Sequence, residues 1–146
     1  MSSRLFQRVR EELGLAYSVY TYQSFHADSG VHGVYVGTAP ATAGAAGEAI
    51  RAELRRVSEE GIPDDELAAG KSQLKGQITL SLESVSSRMY RAAAVELYNE
   101  PYKPLDELLG EIDRIDRDTV AAICHDFFAP EQHTVLSLGP TVDSAQ

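Results

Sequence analysis

Cysteine occurs once in this sequence, at Cys124, so no disulfide can close within the chain. Its surroundings, AAICHDFF, read as part of a helix, where a small apolar thiol is expected in a core rather than at work as a nucleophile. Positive charge is scarce as well: 13 lysines and arginines stand against 22 acids, a formal charge of -9. The cations are scattered singly or in pairs such as Arg55 and Arg56, which excludes the clustered basic surface that nucleic acid or an anionic membrane requires. No apolar run approaches the roughly 20 residues of a membrane span, and the opening MSSRLFQRVR lacks the apolar stretch of a signal peptide. The expectation is a cytoplasmic chain with no nucleic-acid or membrane partner.

Catalytic signatures are missing too. Neither H-x-x-E-H nor its reverse occurs, and a single cysteine rules out paired thiolate ligands, so no metal site is expected. His26, Asp28 and His32 bracket a turn, and His125, Asp126 and His133 lie near the last helix; both groups read as solvated loop histidines. The chain has no G-x-S-x-G elbow and no Walker spacing, so the glycines of GTAPATAGAAGEA are expected to serve close helix packing. Acidic pairs such as Glu11 and Glu12, or Asp64 and Asp65, fall where solvated faces and cap charges belong.

What is present is ordinary globular composition, 43% apolar and 24% charged over 146 residues, the size of one domain with a real core. Leu5, Phe6, Val9 and Leu13 recur at helical spacing, with Ser2 or Ser3 to cap the start and Gly14 to end it. LAYSVYTYQSF and VHGVYVGTA, joined by HADSG, predict a β-hairpin. Helices are then expected over about 42–60, with Ile50, Leu54 and Val57 inward, and from about 63 to 82, carrying Leu67, Leu74, Ile78 and Leu82. A break with Ser84 as cap leads to a helix marked by Met89, Ala93 and Leu97, followed by helices over 105–114 and, capped by Asp116, over 117–128. HTVLSLGP alternates like a strand, and the residues from 141 on read as a frayed tail. The order predicts an α+β fold, a small antiparallel sheet covered on one face by several helices. Three strands are few for so much helix, so a strand is expected upstream or from a partner.

Arg10 and Tyr17 stand seven positions apart across the helix end at Leu13 and Gly14. By themselves they read as a cation at a helix C-terminus and a ring on a sheet face. However, MSSRLFQRVREELGLAYSVYTY resembles the C-terminal domain of the insulinase and pitrilysin (M16) family of zinc metallopeptidases, which includes mitochondrial processing peptidase. The likeness continues through GIPDDELAAGKSQLKGQITLSLESVSSRMYRAAAVELY and LDELLGEIDRIDRDTVAAICHDFFAPEQHTVLSLGP, covering nearly all of residues 1–140.

The resemblance implies a partial peptidase domain facing, across a closed chamber, another domain that carries the zinc motif. Tyr17 would then stabilise the oxyanion as catalytic residue, and Arg10, with Tyr17, would bind the peptide substrate. Zinc is expected in the partner domain and not in this chain. The implied partners are the zinc-motif-bearing domain or subunit, the peptide substrate and, through an uncovered sheet edge, a second copy of the chain. The resemblance starts partway through the family domain, which implies a fragment, inactive alone, with Met1 internal to a longer protein. A non-catalytic scaffolding or assembly subunit of the same family is the alternative.

Overall fold

The computed structural model describes residues 3–129 and 133–140. Its described residues form two compact units: residues up to Glu60 together with those from Cys124 onward, and Gly61–Ile123.

The first unit opens on a π-helix, Phe6–Glu12. The Ser3 hydroxyl accepts the Phe6 N–H at 3.3 Å, the capping role expected there; Ser2 lies outside the described residues. Val9 is fully buried, whereas Leu13 is left at the surface. Gly14 takes φ +60°, a conformation that a Cβ makes costly, and this ends the helix. The chain then enters β1 (Ser18–Phe25), which pairs antiparallel with β2 (Gly30–Gly37). The His26 N–H donates to the Ser29 carbonyl at 2.9 Å and closes the expected hairpin turn.

A short 3-10 turn, Pro40–Thr42, leads into α1 (Ala43–Glu60). Val9, Ala16, Ala46 and Ile50 form the buried cluster, with Leu5, Leu15, Val34, Val36, Ala49 and Leu54 packed against it. Val34 and Val36 share one face of β2 by their period of two, so that face of the hairpin is the covered one. The α+β expectation of a small antiparallel sheet with helices on one face therefore holds. Glu53 is buried on the same helix, its carboxylate 3.0 Å from the Arg56 guanidinium, a placement that periodicity did not indicate. Gly44 and Gly47 have nothing within 4 Å of where a Cβ would stand, so close packing does not account for them.

In the second unit, Gly61 at φ +69° separates α1 from α2 (Asp64–Ser81), whose first turn carries Asp64, Asp65 and Glu66 against the helix dipole. The Ser84 hydroxyl accepts the Ser87 N–H at 3.3 Å and caps α3 (Val85–Leu97), as its place before the apolar positions predicts. Asn99, at φ 52°, follows the end of α3 in a left-handed conformation that asparagine tolerates. α4 (Leu105–Arg114) buries Ile112 and is tied to α2 by Lys71 and Lys75, whose ammonium groups reach the Asp113 carbonyl at 3.0 Å and its carboxylate at 2.7 Å. Asp116 accepts the Thr119 N–H at 2.8 Å and caps α5 (Arg117–Phe128), which runs into the first unit.

One helix leaves its apolar stripe in water, and one further sequence expectation needs correction. Met89 and Leu97 mark α3 but lie 58% and 77% exposed, because an apolar stripe is buried only where another element meets it. Residues 133–140 do not form the expected third strand: Leu136 and Leu138 are 92% and 99% exposed. Alternation gives a segment the side-chain pattern of a strand, but a strand exists only through a neighbour's hydrogen bonds, and the sheet among the described residues is the hairpin. The frayed tail expected from 141 on falls outside the described residues. Among the described residues, no helix is long and apolar enough to cross a membrane.

Candidate functional site at the helix to strand junction

Arg10 sits in the last turn of the π-helix. The wider turn is visible in its hydrogen bonds: the Leu13 N–H reaches the Arg8 carbonyl at 3.1 Å, and the Leu15 N–H reaches Val9 at 2.9 Å. Such turns rotate the side chains that follow and recur at functional positions. Val9 is held in the core, so its neighbour Arg10 is turned outward, its side chain 46% exposed. Its guanidinium lies over the Phe6 ring, 4.9 Å from the centroid, with Nε 3.9 Å from a Glu11 carboxylate oxygen. A cation–π contact uses none of the guanidinium's N–H donors, so they remain able to donate.

Tyr17 stands just before β1. Its N–H donates to the Gly37 carbonyl at 3.0 Å, and the Thr38 hydroxyl donates to the Leu15 carbonyl at 2.5 Å, lacing the segment to the end of β2. Tyr17 itself is 70% exposed. A Cβ placed on Gly37 would meet the Tyr17 ring at 2.6 Å, so the ring occupies the space that a side chain at position 37 would need. Position 37 points to the face of the hairpin opposite Val34 and Val36, and the Tyr17 ring lies there, away from the core. Both residues singled out in the sequence are thus exposed at one junction, each held by its own local contacts. A polar hollow beside the helix is lined by Arg4, Gln7, Arg8, Glu12, Glu53 and Arg56, and neither Arg10 nor Tyr17 contributes to it.

The histidines have other partners. His32 Nε2 and His133 Nε2 lie 3.2 and 3.3 Å from the Phe127 carbonyl at the end of α5, and the His32 ring meets Phe127 and Phe128 edge-on. His26 is 3.4 Å from the Ser24 hydroxyl, and His125 is 3.5 Å from the Asp126 carboxylate. Among the described residues, no group of three or more His, Cys, Asp or Glu side chains could hold a metal ion, so the donor set does not fit zinc. Cys124 is buried, and burial pushes its thiol above the ordinary range, which suppresses the thiolate a nucleophile needs.

In the sequence the remaining hairpin tyrosines read as strand formers and nothing more. The structure places Tyr20, Tyr22 and Tyr35 on the Tyr17 side of the hairpin, with Tyr20 and Tyr35 stacked at 4.9 Å between centroids. The signal that could have found them is tyrosine at alternate positions of one strand matched against glycine and tyrosine on the other.

Comparison with known proteins adds a family. Residues 1–74 match the family described as "Peptidase M16 inactive domain". An uncharacterized zinc protease of Bacillus subtilis is 39% identical over 141 residues, covering 97% of this chain and 34% of that protein. One from Streptomyces coelicolor is 39% identical, covering 98% of the chain and 31% of its own length, and one from Mycobacterium leprae is 36% identical, covering 96% and 31%. The chain therefore spans about a third of the length of these relatives.

Proposed function

Because this chain belongs to the peptidase M16 family, we propose that it is the substrate-binding part of a zinc-dependent metalloendopeptidase, completing an active site whose metal is held elsewhere. Zinc enters on the names of the relatives, and on this reading another domain or subunit, the partner, holds it. The carrying observation is that Arg10 and Tyr17 are exposed together where the opening helix hands over to β1.

Each has a role suited to its chemistry. As the scissile carbonyl becomes tetrahedral, its oxygen gains negative charge, and the Tyr17 phenol, an O–H donor, stabilises that charge more than the ground-state carbonyl. The Arg10 guanidinium, charged at any working pH, donates to a neighbouring substrate carbonyl and keeps the peptide in register. Neither residue activates water, so the chain alone is expected to be inert. A second copy of the chain is a further partner on this reading, through the edges of the two-stranded sheet.

The test is cleavage of an unstructured peptide by the chain alone and by the chain assembled with its zinc-bearing counterpart, with and without chelator. Chelator-sensitive cleavage in the assembly alone is expected, and Tyr17→Phe should lower kcat by roughly 100-fold, the usual cost of one oxyanion donor. Arg10→Ala should act mainly on KM. An assembly that forms and stays inert would transfer the chain to a scaffolding role.

A further inference from the structure

The outward face of the hairpin is paved with aromatic rings. Three successive same-face pairs cross it: Ser18 with Gly37, Tyr20 with Tyr35, and Tyr22 with Gly33. The Tyr17 ring covers Gly37, and a Cβ on Gly33 would meet the Tyr22 ring at 2.6 Å, so that ring also occupies the space above a bare glycine. Between them Tyr20 and Tyr35 stack with their planes 24° apart. Tyr20, Tyr22 and Tyr35 remain 52%, 50% and 45% exposed, a costly arrangement for rings with nothing to meet.

Two features say what meets them. The face is uncharged: from Leu13 to Gly47 the sequence holds a single formally charged side chain, Asp28, in the turn. A partner here gains nothing from charge and much from apolar area. The tiles also repeat every second residue, about 6.7 Å along the strands, which is the repeat of alternate side chains in any extended peptide. We propose that this tyrosine face is a specificity surface for the peptide substrate, receiving bulky apolar or aromatic side chains at alternate positions of an extended segment that leads to Tyr17. This rests on the substrate-facing placement of Tyr17 proposed above and goes beyond it by naming the side chains that are selected. Tyr20, Tyr22 and Tyr35 are specificity residues, and Tyr17 alone donates to the reacting carbonyl.

The experiment uses the chain assembled with its zinc-bearing counterpart and stripped of metal by chelator, so that peptide binds without being cut. Two labelled peptides, one with phenylalanine at alternate positions and one with serine there, are titrated by fluorescence anisotropy. The phenylalanine peptide is expected to bind at least tenfold more tightly, and Tyr20→Ser with Tyr35→Ser should bring the two affinities within about twofold. Gly33→Val, which removes no aromatic ring but drives a side chain into Tyr22, should weaken phenylalanine-peptide binding several-fold and serves if the double variant fails to fold. Tyr17→Phe, assayed by cleavage after zinc is restored, should slow both peptides equally and leave their affinity ratio intact. Equal affinities in the wild type, or a ratio untouched by the tyrosine and glycine variants, would overturn the proposal. So would loss of self-association, rather than of peptide binding, in the double variant, since the face would then belong to a second copy. An unchanged cleavage rate for Tyr17→Phe with the anisotropy ratio preserved would remove the oxyanion role and leave the specificity surface standing.

Discussion

Gly14 and Gly37 set the candidate site as firmly as Arg10 and Tyr17 do. Gly14 holds φ +60° in open space, so Gly14→Ala meets no steric neighbour and carries only the left-handed backbone penalty. A loss of about 1 kcal/mol in urea unfolding is expected, with reduced turnover in the assembly because the turn aims Tyr17. At Gly37 the neighbour is the Tyr17 ring itself, so Gly37→Ala should leave the fold and lower kcat. Cys124 shows how residue type and environment combine. Its sequence setting already suggested a buried thiol, and burial raises its pKa, so labelling by a thiol reagent at pH 8 should be at least tenfold slower in native than in denatured protein. Context in the sequence marks Arg10 and Tyr17 as candidates; it does not give the placement of the Tyr17 ring, which lies against Gly37, 20 positions further on.

Helix boundaries follow local chemistry closely. Ser84 and Asp116 each accept an N–H three residues on, and these caps were readable because N-capping depends on a residue and its immediate neighbours. Ser84→Ala should cost about 1 kcal/mol of stability, read by chemical denaturation. Asp116 adds a pH signature. Hydrogen bonds from Thr119 hold its carboxyl below the ordinary carboxylate value, so the charged cap contributes stability above that ordinary value, about pH 4, and loses it as pH falls through the depressed folded value. Asp116→Ala should accordingly lower Tm at pH 7, with the gap to wild type closing in strongly acidic buffer; a gap independent of pH would mean that the carboxylate is not the cap. The third strand fails for the converse reason. HTVLSLGP has the alternation of a strand, but pairing is a property of two segments, and one segment's sequence does not supply the other.

For the whole molecule, exposure is the informative quantity. Leu136 and Leu138 are almost wholly exposed, and Met89 and Leu97 are largely so, while the relatives are about three times as long as this chain. In the proposed assembly with a zinc-bearing counterpart, residues 133–140 are expected to pair as a strand and to gain amide protection in hydrogen exchange. Unchanged exchange there would mean that this segment meets water in the working protein. The same assembly tests the division of labour: zinc should copurify with the counterpart and not with this chain, whose described residues offer no ligand cluster.

The sequence by itself determined the α+β class, the hairpin and its turn, and the helices and their caps, because each depends on residues within a few positions, and it singled out Arg10 and Tyr17 as candidates through a family's ordered motif. Tertiary structure decided the rest: which hairpin face meets α1, that the rings of Tyr17 and Tyr22 lie against glycines of the opposite strand, and that α3 and 133–140 leave apolar side chains in water. Those outcomes depend on which distant surfaces meet, and contact between distant surfaces is a property of the folded chain and its neighbours rather than of any local run of residues.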